Sequence, residues 1–125
     1  MMSIQESAFV VIQPHGHLDA QGSVRLKQQF AEIQPEIHEL WIVDMNAVQF
    51  VDSAGLLCLV NGLKLANRNQ CRLFLCNLHP AVRLIFEISQ LDQIFTIIDS
   101  QVDVEKIHSN IAELADVNPT KQIAA

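Results

Sequence analysis

Positive charge is scarce in this chain. Eight Lys and Arg residues stand against fourteen Asp and Glu, giving a formal net charge of −6. A nucleic-acid backbone is neutralised by a basic face, so nucleic-acid binding is excluded as the primary role. Glycine is also scarce, with four in 125 residues. No Gly-x-Gly-x-x-Gly or Walker loop occurs, which leaves a nucleotide enzyme without a cradle for phosphates. Long hydrophobic runs are absent. The longest, Ala54 to Val60, stops at Asn61-Gly62, far short of the ~18–20 residues that span a bilayer. Met1 to Ser7 carry no positive charge ahead of the first apolar stretch. No secretory signal is predicted, and a cytoplasmic protein without membrane insertion is expected.

Cysteine is too sparse to form a framework. Cys58, Cys71 and Cys76 cannot all pair within one chain and make no Cys-x-x-Cys. Reduced, mostly buried thiols are expected. Cys71 and Cys76 lie five apart on a predicted strand and so point to opposite faces. The five histidines, at 15, 17, 38, 79 and 108, are scattered, and His15-x-His17 has no third ligand beside it. Neither a metal site nor a cofactor is predicted. No Gly-x-Ser-x-Gly elbow is present. Asp44 ends a predicted strand, where a receiver-like domain holds its phospho-accepting aspartate, but the acidic pair such a domain needs after its first strand is missing. No catalytic residue is assigned, and an enzyme is not expected.

What the chain does have is a core. Half of its residues are apolar and 18% are charged, a composition for a folded domain rather than a tail. The length suits one domain. Phe9 to Ile12 is β-branched and aromatic and stops at Pro14, which predicts a strand. A turn is predicted at His15-Gly16-His17. Leu26, Phe30 and Ile33 recur at helical spacing from about Gln21, and Pro35 ends that helix. Leu40 to Val43 reads as a buried strand closed by Asp44, and Met45 to Val51 as a loop. Leu56, Leu57, Leu59, Val60, Leu63 and Leu65 predict a broad apolar helix. Leu73 to Cys76 is the next strand. Pro80 opens a helix striped by Val82, Ile85, Phe86 and Ile88, and Ile94 to Ile98 is the last strand.

Strands and helices alternate, and the middle strands are continuous apolar runs. That pattern predicts an α/β fold with strands buried on both faces. Beyond Asp99 the pattern changes. Val104, Ile107, Ile111 and Leu114 predict a terminal amphipathic helix, stopped before Asn118-Pro119. The expected organisation is a domain over residues 1–100, then a helix and frayed tail over 101–125. The helix is expected to pack back on the domain.

The segment Phe50-Val51-Asp52-Ser53-Ala54-Gly55-Leu56 stands out. Asp52 or Ser53 is a natural N-cap for the apolar helix, accepting a hydrogen bond from an unpaired N–H. Gly55 is unusual for a plain cap, since Gly costs ~1 kcal/mol inside a helix. Its missing side chain admits a close approach by another backbone or a partner.

Asp52-Ser53-Ala54-Gly55-Leu56 resembles the Asp-Ser-Ser/Thr-Gly-Leu motif of STAS domains (sulphate transporter and anti-sigma factor antagonist), in particular the small bacterial anti-sigma factor antagonists. Gly16-His17-Leu18-Asp19 is similar to the family's Gly-Glu-Leu/Ile-Asp. Ile42-Val43-Asp44 resembles its central strand. Asn77 to Val82, Ile85-Phe86 and Leu91 resemble its third-helix region. The resemblance covers residues 8 to 99.

It implies a four- or five-stranded mixed sheet with about four helices, mostly on one face, and a hairpin of the first two strands through His15-Gly16-His17. It implies a non-enzymatic, partner-switching role in transcription control. Such antagonists sequester an anti-sigma factor that is also a serine kinase. The kinase phosphorylates the serine after the motif's aspartate, here Ser53, which releases the partner. A metal-dependent serine phosphatase restores the free form. Gly16, Asp19, Asp52, Ser53, Ala54, Gly55 and Leu56 are then the expected partner-binding residues. Three positions depart from the family. Ala54 replaces a hydroxyl residue, which leaves Ser53 the only phospho-acceptor of the motif. Leu57 replaces a frequent Gly, and His17 replaces an acid. The alternative is a STAS subunit of a membrane transport or lipid-trafficking complex, with Ser53 serving only as a cap. A hydrolase using Ser53 would lack a nearby base.

Overall fold

A computed structural model describes residues 9–98. The chain runs β1 (Phe9–Ile12), β2 (His15–Leu18), α1 (Ala20–Ala31), β3 (Leu40–Asp44), β4 (Ala47–Val51), α2 (Ser53–Arg68), β5 (Arg72–Cys76) and α3 (Pro80–Ile88). A 3-10 turn (Leu91–Gln93) and β6 (Thr96–Ile98) complete it.

Four strands form one sheet in the order β1-β3-β5-β6. Each new strand adds to the same edge, in parallel, with Phe9 opposite Leu40, Leu40 opposite Arg72 and Phe74 opposite Thr96. Parallel crossovers are right-handed. Adding strands in one direction therefore puts the connecting helices on one face.

The side chains show this. Alternate residues of β3 and β5 (Trp41, Val43, Leu73, Leu75) meet Leu26, Phe30, Leu59, Leu63, Val82 and Phe86 from the three helices. Phe30 stacks on Trp41 with ring centroids 6.1 Å apart, and the indole N–H donates to the His38 carbonyl at 3.0 Å. Burying each such large apolar side chain contributes about 1.5–3 kcal/mol. The other face gathers Phe9, Leu40, Ile42, Phe74 and Cys76. Every residue of β3 is buried, which explains its unbroken apolar run.

β2 and β4 form a second, two-stranded sheet, also parallel, with His15 opposite Ala47 and Leu18 opposite Val51. The hairpin expected at His15-Gly16-His17 does not form, and those residues are strand. Pro14 has no N–H with which to continue the β1 ladder, and the chain bends there. The pairing shifts by one residue between Gly16, at φ +81°, and His17, which leaves Gln49 of β4 as the extra residue of a bulge. β4 likewise replaces most of the loop expected over Met45 to Val51. The last strand starts at Thr96, because Leu91–Gln93 winds as a 3-10 turn.

The α/β class is as the resemblance implied; the described residues form three α-helices, where about four were expected for the chain, and six strands. Every pairing among the described residues is parallel, so the mixed sense is not met within residues 9–98. The predicted C-terminal helix and the tail lie outside the described residues. Among those described, no helix is long and apolar enough to cross a membrane.

Candidate partner-binding site

Two strand-to-helix units lie side by side. β2 ends in Leu18, and Asp19 caps α1; β4 ends in Val51, and Asp52 caps α2. Each cap is extended backbone whose carboxylate accepts from the N–H three residues on: Gly22 N to Asp19 Oδ1 at 2.9 Å, and Gly55 N to Asp52 Oδ1 at 3.0 Å. Of the two residues predicted to cap α2, Asp52 does so. The Gly22 N–H holds the Asp19 carboxyl below the ordinary aspartate value. The shared Asp-x-x-Gly spacing, at 19–22 and 52–55, is the sequence signal of this pair.

Pairing of β2 with β4 sets the two helix starts against each other. Asp52 N–H donates to the Leu18 carbonyl at 3.2 Å. Ser23 Oγ donates to the Ala54 carbonyl at 3.5 Å. His17 meets Phe50 edge-on, with centroids 5.5 Å apart. Two positive helix ends thus lie close together.

Ser53 is the first residue of α2 and is exposed. Asp52 and Ala54 are half-buried beside it, and Asp19 is half-buried across from it. Gly55 is buried and faces the domain, with its α-carbon against the Leu18 carbonyl. Leu56 is half-buried and packs on the core. The leucine left in the open is Leu57, 60% exposed, and Phe50 beside His17 is 46% exposed. Gly16 is exposed on β2 and lines a surface pocket together with His17 and Asp19.

A second polar cluster closes the C-terminal edge of the main sheet. Asp44, 5% exposed, accepts from Gln13 Nε2, Asn77 Nδ2 and Asn46 N–H, each at 3.0 Å. His79 Nε2 donates to the Asn46 carbonyl at 2.6 Å. Asp44 therefore ties the loops after β1, β3 and β5 together through hydrogen bonds. Burial, with Asp44 nearby, pushes the Cys76 thiol up to about 12. All three cysteines are free. Among the described residues, no group of three His, Cys, Asp or Glu converges.

The caps are measurable. Asp52→Ala leaves Gly55 N–H without its acceptor and is expected to cost about 1 kcal/mol. Urea unfolding read by circular dichroism gives that value, with an unchanged m-value.

The STAS domain family model matches residues 1–113. An anti-sigma F factor antagonist of Paenibacillus polymyxa is 28% identical over 95 residues, covering 75% of this chain and 81% of that protein. The anti-sigma factor antagonist SpoIIAA in its unphosphorylated form superposes with a TM-score of 0.71 at 21% identity, covering 90% of this chain and 93% of that one. The phosphorylated form of the Bacillus protein gives a TM-score of 0.66 at 21% identity, covering 84% and 92%. A sulfate transporter family protein from Wolinella succinogenes gives 0.74 at 14% identity, covering 88% and 89%. With paired Asp-capped helices on a parallel sheet and a family match over most of its length, this chain belongs to the STAS domain family.

Proposed function

We propose that this chain is an anti-sigma factor antagonist, a binding protein controlled by phosphorylation of Ser53. One observation carries the reading. Ser53 is the exposed first residue of α2, directly after the Asp52 cap, so a kinase reaches its hydroxyl without disturbing the core. The helix start accommodates the resulting anion. The relative from Paenibacillus is named an anti-sigma F factor antagonist, and SpoIIAA is described in phosphorylated and unphosphorylated forms; both support the reading.

In the free form the surface around Asp19, Asp52, Ser53 and Ala54 binds an anti-sigma factor that is also a serine kinase. Phosphorylation releases that partner, and a metal-dependent serine phosphatase resets the switch. The chain is a kinase substrate rather than an enzyme. It acts in the cytoplasm on transcription through another protein, without binding nucleic acid or entering a membrane.

The test is incubation of the full chain with candidate serine kinases and ATP, followed by mass spectrometry. One phosphoryl group on the peptide containing Ser53, and none on the Ser53→Ala chain, is the expected result. Modification confined to other residues would sink the proposal.

A further inference from the structure

Behind Ser53, α1 and α2 leave a groove of about 440 Å³ between them. Its rims are apolar and open, with Val24 58% and Leu57 60% exposed. Gly62 has no side chain to fill the floor, and the Phe30 ring lies directly beneath it. The charged residues lining the groove are Lys27 and Arg68, and both are exposed. In a chain with eight cations against fourteen anions, a groove lined with positive charge alone complements an acidic segment. Its Ala20 and Ala54 lining places the first turns of both helices at the groove, next to Ser53.

We propose that this groove seats an amphipathic helix of the binding partner. The helix lays its apolar stripe between Val24 and Leu57 and directs flanking acidic residues toward Lys27 and Arg68. The groove between two packed helices suits a helix, with anchors at helical spacing. This proposal rests on the reading of the chain as a binding antagonist and adds the chemistry of what it binds. It also explains why a phosphoryl group on Ser53 acts on affinity: it adds negative charge beside a groove that selects an acidic helix.

Two stapled helical peptides test the groove directly. Both carry the same leucine stripe; one is flanked by glutamates and the other by lysines. They are titrated into the full isotope-labelled chain by NMR. The glutamate peptide is expected to shift the amides of Val24, Lys27, Leu57 and Asn61. It is expected to bind about tenfold more tightly than the lysine peptide, the sum of two ordinary surface ion pairs. Lys27→Glu with Arg68→Glu should reverse that preference, and Leu57→Lys should weaken both peptides. All three positions are exposed, and circular dichroism confirms that each variant is folded.

Equal binding of the two peptides, shifts centred elsewhere or no shifts would overturn the proposal. Concentration-dependent self-association through the same amides would do so too, since a second copy would then be the occupant. Ser53 is not modified in this experiment. A kinase that ignores Ser53 leaves the groove standing, and peptides that ignore the groove leave the Ser53 switch standing.

Discussion

Ser53→Asp is expected to bind its kinase partner over a hundredfold more weakly than Ser53→Ala, with no loss of fold. The size follows from where the charge sits. Ser53 is exposed in the free chain, so water solvates a carboxylate there at little cost. In a complex packed over the first turn of α2, that carboxylate loses its water. The two acids at this surface offer no compensation: Asp52 is the preceding residue, and Asp19 caps the adjacent helix. An unpaired charge buried at an interface costs about 2–5 kcal/mol. At about 1.4 kcal/mol per tenfold, 3 kcal/mol is somewhat more than a hundredfold in affinity.

The same charge is favourable in the free chain, because an acid in the first turn of a helix gains about 0.3–1 kcal/mol from the helix dipole. The melting temperature of Ser53→Asp should therefore match or slightly exceed that of Ser53→Ala. Titration calorimetry against the kinase gives the affinities, and a thermal scan gives the stability. Equal affinities would show that Ser53 is only the start of a helix. A weakened variant with a lowered melting point would show unfolding instead of switching.

The sequence carried the buried half of this site well. The run Leu40 to Val43 is apolar at every position, which only a doubly buried strand tolerates, and β3 is buried throughout. A cap for α2 at Asp52 or Ser53 was equally legible, because the N-cap preference is local chemistry, and the fold selects Asp52. The second sheet was not legible. β2 is His15-Gly16-His17-Leu18, exposed at its first three positions, and its pairing with β4 is a contact between segments far apart in the chain. No hydrophobic alternation announces a strand of that kind, and Gly16 between histidines reads as a turn. The role of Asp44 was hidden for a related reason. Its three donors come from Gln13, Asn46 and Asn77, and only the folded sheet brings those loops together. The identity of the exposed leucine depended on helix phase. Leu56 and Leu57 are neighbours in sequence, yet one packs on the core and the other faces solvent.

Gly55→Ala should be among the most damaging single-methyl changes in this domain, although alanine is the better helix former. By propensity alone the change gains about 1 kcal/mol. A β-carbon at position 55, however, would fall within contact radius of the Leu18 carbonyl oxygen and 2.9 Å from both the Leu18 carbonyl carbon and its β-carbon. These are backbone and near-backbone atoms, which cannot swing aside as a long side chain can. Leu18 is held on two sides, by pairing with Val51 and by the hydrogen bond from Asp52 N–H. Relief therefore requires α2 to move away from β2, which breaks the contact that sets the two capped helix starts together.

Overpacking of this kind costs about 3 kcal/mol or more against backbone, leaving a net loss of about 2 kcal/mol after the helical gain. For a domain of this size, that lowers the melting temperature by roughly 10 °C. Gly16→Ala is the control. It has nothing within 4 Å and only its positive φ of 81° to accommodate, a cost of about 1 kcal/mol. Thermal and urea unfolding of both variants checks the order. Gly55→Ala should also lower the rate of Ser53 phosphorylation at temperatures where the chain is still folded, since Ser53 lies two residues from the displaced contact. A Gly55→Ala chain as stable as the parent would mean that α2 does not need to sit against Leu18, and that the glycine of the motif is kept open for a partner rather than for the fold.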